Sequence, residues 1–95
     1  MDSTTAVTHD EAGHRFEVAL DGSVATLGYQ LLDDTMLITH TRVPPAIGGR
    51  GIGARLVASA VAHAQQQGLT VRTTCWFAEE WLERHPDEAA RVSAG

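Results

Sequence analysis

Ninety-five residues suffice for one domain built around one core. Seven basic against twelve acidic residues leave a formal charge of −5, which argues against the broad basic face that nucleic-acid binding needs. No apolar run approaches the ~20 residues of a membrane span, and a single cysteine leaves no internal disulfide. Met1-Asp2-Ser3-Thr4-Thr5 is polar and lacks a charged-then-apolar secretory signal, so the expected location is cytoplasmic.

Residues 1–12 carry no apolar period and read as a flexible N-terminal tail; residues 13–95 read as a single domain. From His14 the pattern alternates, with Phe16, Val18 and Leu20 on one strand face and Arg15, Glu17 and Asp21 on the other. Asp21-Gly22 fits a two-residue hairpin turn, because a type I′ turn needs positive φ at both positions. Ser23 to Leu32 returns as a second strand, Asp33-Asp34 turns again, and Thr35 to Val43 makes a β-branched third strand. The three form an antiparallel meander.

Pro44 and Pro45 end the third strand by removing two backbone donors. From Gly51 the period becomes helical, with Leu56, Val57, Ala60, Val61 and Ala64 on one face and Gly68 as the stop. Leu69 to Cys75 follows as a fourth strand, reached by a right-handed crossover and therefore parallel to its neighbour. Phe77 to Arg84 predicts a short helix ending before Pro86, and Asp87 to Val92 adds at most another turn. The expected fold class is α/β: a mixed sheet in which a three-strand meander precedes a helix–strand–helix unit.

The segment Gly48-Gly49-Arg50-Gly51-Ile52-Gly53-Ala54 stands at the C-terminal end of the third strand, where open α/β sheets place ligands. Glycines there bare the unpartnered N–H groups of a helix N-terminus, and the helix dipole adds about half a positive charge. Phosphate or pyrophosphate suits such a site. The dinucleotide fingerprint G-x-G-x-x-G fails, since the third glycine falls one place early, and no Gly-Lys-Ser/Thr of a P-loop follows. A glycine-rich turn holding no ligand is the alternative.

Gly49-Arg50-Gly51-Ile52-Gly53-Ala54, entering a helix after a strand, resembles motif A of the GNAT acetyltransferase superfamily. Several further motifs in order add to it: His40-Thr41-Arg42-Val43 before the loop, then Leu56-Val57, Gly68-Leu69-x-Val71, Cys75, Trp81 and Arg84-His85-Pro86. Together they resemble the small GNAT-like, YjdJ-type N-acetyltransferase domain family over Leu37 to about Asp87. The resemblance implies acetyl-CoA or CoA as ligand, its pyrophosphate on the N–H groups from Gly49 to Gly53, with Gly48, Arg50, Ile52 and Ala54 also among the cofactor-binding residues. It also implies a pantetheine arm pairing with backbone around Thr41 to Val43 as an added strand would. The motif's leading Arg or Gln falls on Gly48, so that side-chain phosphate contact is absent, with Arg50 or Arg55 as the substitutes at hand. Partners follow in kind: acetyl-CoA, an unidentified amine on a small molecule or protein, neither nucleic acid nor membrane, and a monomer or homodimer.

Acetyl transfer needs a bound thioester, a deprotonated amine and a donor to the developing oxyanion. The carboxylate base and C-terminal tyrosine acid that many members of the superfamily use have no counterpart: the single tyrosine is Tyr29, and no carboxylate falls between Thr35 and Arg50. Cys75, at the end of the fourth strand, is the alternative, a thiolate that accepts the acetyl group and passes it on. Packing of a small apolar thiol is the competing account. His40 is the second candidate, a base with a pKa near neutrality; alternation places it on one strand face with Met36, Ile38 and Arg42. His9 and His14 belong to no constellation, His63 is expected to face solvent, and no paired ligand spacing appears, so no metal is expected. Two functions compete: an acetyl-CoA-dependent N-acetyltransferase, and a CoA-binding or protein-interaction module without turnover.

Overall fold

The computed structural model describes residues 6–93. Five strands lie in sequence order across one sheet: β1 (Thr8–Asp10), β2 (Arg15–Leu20), β3 (Ser23–Leu32), β4 (Thr35–Arg42) and β5 (Thr70–Thr73). The helices are α1 (Ile52–Gln67), α2 (Trp76–Arg84) and α3 (Pro86–Arg91), with a 3₁₀ turn at Pro45–Ile47. Strands β1 to β4 pair antiparallel, and β4 pairs parallel with β5 through the α1 crossover. The mixed α/β sheet and its meander are thus as the sequence predicts.

Both tight turns use the residues their geometry demands. Asp21 and Gly22 take φ of 52° and 80°, closing a hairpin in which Leu20 opposes Ser23. Gly68 ends α1 at φ 72°, its N–H bonded back to Ala64 and Gln65 carbonyls.

The N-terminal region departs from expectation. Thr8–Asp10, placed by the sequence in a loose tail, forms the edge strand β1 against Arg15–Glu17. Three residues are too few to show a period, so nothing in the pattern marks them. The remainder of that predicted tail at residues 1–5 lies outside the described residues. At this edge His9 stacks on Phe16 with ring centroids 4.0 Å apart, and its Nε2 lies 2.6 Å from the Tyr29 hydroxyl. Burial, and then the neighbouring His63, hold His9 below the usual imidazole range.

One sheet face is covered. Phe16, Val18, Ala25, Leu27, Tyr29, Met36, Ile38 and Val71 are buried there against Leu56, Val57, Ala60, Val61 and Ala64 of α1. Each such Leu, Ile or Val contributes about 1.5–3 kcal/mol on leaving water. Ala78 and Trp81 of α2 and Val92 complete the core. The alternate residues, Val24, Gln30 and Arg72 among them, are exposed on the face without helices.

A bulge interrupts β4. Gly28 opposes His40 but Tyr29 opposes Ile38, leaving Thr39 as the extra residue. The insertion switches the alternation: Thr41 opposes buried Leu27 on the inner face, while His40 and Arg42 point outward. His40 therefore does not share a face with Met36 and Ile38, contrary to simple period-2 reading.

Candidate functional site

Strand β4 outruns its parallel partner, and the site is built along that excess. The β4–β5 ladder ends with Ile38 opposite Thr73, after which Thr74 N–H reaches the Ile38 carbonyl at 3.1 Å. Past the bulge, residues 40–42 of β4 pair with β3 on one side only, so their other edge offers backbone donors and acceptors to an extended ligand. The glycine loop stands at the far end of this edge and Cys75 stands where β5 leaves it.

The loop's glycines have separate tasks. Gly49 and Gly51 take φ of 76° and 73°, a region costing other residues about 1–2 kcal/mol, and a Cβ at either would meet nothing within 4 Å. Gly51 is the N-cap of α1, and no side chain caps the helix. The first helical bond is Arg55 N–H to Gly51 O at 3.1 Å, so the N–H groups of Ile52, Gly53 and Ala54 precede the ladder. They form an anion-facing end of a 16-residue helix.

Gly48 is extended, and its N–H is spent on the Pro45 carbonyl at 3.1 Å. Gly53 is a packing residue: a Cβ there would lie 2.9 Å from the Phe77 ring and 3.5 Å from Val43, which is how α1 and α2 approach. Arg50 turns to Asp21 in the β2–β3 hairpin, an exposed pair at 3.0 Å. Such a pair is worth under about 1 kcal/mol and competes weakly with a phosphate.

Cys75 is half-buried at the N-cap of α2, its Sγ 3.6 Å from Thr41 Oγ1. Burial pushes the thiol up, but the Ala78 amide, the Thr41 hydroxyl and the amides of Phe77 and Thr41 favour the anion more. The net result holds Cys75 below the ordinary thiol range. No full cap hydrogen bond is formed between Sγ and α2; the lowering reflects several amides turned toward the sulfur. Thr73, which sequence reasoning passed over, fixes the cysteine: its Oγ1 accepts the Cys75 N–H at 2.8 Å and donates to the Ile38 carbonyl at 2.9 Å. A Thr-x-Cys spacing was the available signal, too common to stand alone.

His40 is not brought against Cys75. Its exposed ring lies over Gly28 on the outer face, where a Cβ on Gly28 would come within 2.9 Å of Nδ1, and Thr39 Oγ1 is 3.3 Å from that nitrogen. Cys75 and Thr41 are on the inner side of the same strand end. The Tyr29 hydroxyl is engaged by His9 at the β1 edge.

The sequence over residues 15–92 matches the GCN5-related N-acetyl-transferase family. The chain belongs to that family. It is also 32% identical over 87 residues to Protein NATD1 of Xenopus tropicalis, covering 88% of this chain and 80% of the relative. Protein NATD1 of Homo sapiens is 31% identical over 83 residues, covering 84% and 74%. The solution structure of a GCN5-like protein from Staphylococcus aureus superposes with a TM-score of 0.75 at 28% identity, covering 99% of this chain and 92% of that one. The chain is a small GNAT-like domain in sequence family and in fold.

Proposed function

We propose that this domain binds acetyl-CoA and transfers its acetyl group to an amine. The observation that carries the reading is the free edge of β4 between an open helix N-terminus and a lowered-pKa cysteine. The pyrophosphate sits on the N–H groups of Gly49 to Ala54, with Arg50 released from Asp21. The pantetheine arm extends beside Thr41 to Val43, which brings the thioester toward Cys75.

In the covalent route the Cys75 thiolate attacks the thioester carbonyl. An S–C bond forms as the bond to the CoA sulfur breaks, and the departing thiolate takes a proton from solvent. The amine then attacks the acetyl-cysteine, and Cys75 leaves as the thiolate. The amine's proton passes to water, since His40 lies on the opposite sheet face from Cys75. The proposed setting is a reducing cytoplasm, in keeping with the free thiol.

Thermal unfolding with excess acetyl-CoA or CoA tests the binding. At a hundred times Kd a ligand adds about 2.7 kcal/mol, raising Tm by roughly 10 °C or more. No shift at millimolar ligand sinks the proposal.

A second reading, CoA binding without turnover, draws on one observation: Tyr29, the chain's single tyrosine, is tied to His9 and cannot serve as the acid. Cys75→Ala separates the two. Transfer by the unchanged protein that the variant loses, while keeping its CoA shift, supports the covalent route.

A further inference from the structure

The fold assembles a second constellation at the other end of α1. His63 lies 12 residues beyond Gly51 along the helix, a rise of about 18 Å. There it meets β1: one ring nitrogen of His9, one of His63 and a Glu11 carboxylate oxygen all lie within 4.8 Å of one another. His9 Nδ1 stands 3.9 Å from Glu11 Oε2, and the two imidazoles meet edge-to-face with centroids 4.4 Å apart.

We propose that His9, His63 and Glu11 form a binding site for a divalent transition-metal ion of the zinc type.

Three features support this site beyond proximity. First, His9 Nε2 is held at 2.6 Å by the Tyr29 hydroxyl, and the ring is clamped flat on Phe16. That is the outer-shell arrangement that fixes a ligating histidine: one nitrogen is bonded to a support, and the other is turned to the site. Second, ligand atoms within 4.8 Å of one another are within side-chain adjustment of a tetrahedral set. Bonds of about 2.0–2.1 Å put neighbouring ligand atoms roughly 3.3 Å apart. Glu11 is exposed and can close the remaining gap by rotating its side chain. Third, a cavity of about 300 Å³, lined by Glu11, Tyr29, His63, Asp33 and Gln67, opens beside the triad. It leaves room for a water as fourth ligand, the pattern of an open rather than a closed zinc site.

Two imidazoles with a carboxylate select Zn²⁺, Co²⁺ or Ni²⁺ over Mg²⁺ or Ca²⁺, which prefer all-oxygen shells. An ion there would also clip the three-residue strand β1 to α1, joining the N-terminal edge to the helix that carries the glycine loop.

The test uses untagged protein, titrated with Zn²⁺ by calorimetry and followed by thermal unfolding, with Mg²⁺ as the control cation. Co²⁺ serves as the spectroscopic probe. Expected are a Zn²⁺-dependent rise in Tm that Mg²⁺ does not reproduce, and Co²⁺ absorption without a thiolate-to-cobalt charge-transfer band. Glu11→Gln and His63→Gln should each weaken Zn²⁺ binding at least about tenfold, the loss that even outer-shell changes cause. Glu11 is exposed, so Glu11→Gln should keep its metal-free Tm, and it decides the matter alone should His63→Gln fail to fold. Absence of Zn²⁺ binding, unchanged affinity in the folded variants, or a thiolate band pointing to Cys75 overturns the proposal.

Discussion

At the scale of single residues, Cys75 separates a reactive thiol from a packing one. Its sulfur is half-buried, and burial alone would raise its pKa. Opposing that are amides of the first turn of α2 and the Thr41 hydroxyl, all of which favour the thiolate. The net lowering sets the sign of the pH dependence: a depressed pKa means that the thiolate persists to lower pH than in an unfolded chain. Alkylation of native protein should therefore show a pH midpoint below that of the same protein in denaturant. Thr41→Val removes one stabilising hydroxyl at little cost in volume, and its midpoint should move back up. A native midpoint at or above the denatured one would leave Cys75 a packing residue. Gly28 gives a second test. A Cβ there would come within 3.0 Å of His40 Nε2, the far end of an exposed side chain. Gly28→Ala should cost about 1 kcal/mol in the native background and less in His40→Ala, a coupling that a double-mutant cycle reads directly.

Among elements, the hairpins, α1, β5 and the glycine-rich entry to α1 are legible because each carries a local signal. Asp21-Gly22 names its turn, Gly68 names its stop, and period 3.6 marks the buried stripe of α1. The bulge at Thr39 is not legible. Thr-His-Thr offers no glycine or proline to announce it, and it is fixed by cross-strand registration with Gly28. Missing it put His40 on the wrong face. Gly53 carries a second task that the loop pattern does not announce: without a Cβ it admits the Phe77 ring between α1 and α2. The two kinds of glycine predict different losses. Gly53→Ala should destabilise by about 1–3 kcal/mol through overpacking, and Phe77→Leu should relieve part of that cost. Gly51→Ala meets open space, so its cost of about 1–2 kcal/mol comes from backbone conformation and no neighbouring truncation should relieve it. Denaturant midpoints of the single and paired variants distinguish the two mechanisms; relief of Gly51→Ala by Phe77→Leu would contradict this division.

Across the whole molecule, what sequence could not reveal is contact between distant ends. His9 and His63 stand 54 positions apart, a separation at which no spacing rule applies, and only the antiparallel placement of β1 beside β2 and α1 brings them together. The C-terminal end is tied in by similar means. Val92 is 2% exposed, and its carbonyl accepts the Val71 N–H at 2.8 Å on the side of β5 away from β4. One residue thus contributes to the core and satisfies an edge donor of the last strand. A chain ending at Arg91 loses both. Burial of the valine is worth about 1.5–3 kcal/mol and the hydrogen bond about 0.5–1.5 kcal/mol. At roughly 4–8 °C per kcal/mol for a domain of this size, the truncated protein should melt on the order of 10–35 °C lower. Val92→Ala keeps the carbonyl and should recover a part of that loss. Amide exchange completes the argument: Val71 should lose protection in the truncated chain and retain it in Val92→Ala. Equal protection in both would mean that the C-terminal segment stabilises the domain through the core alone.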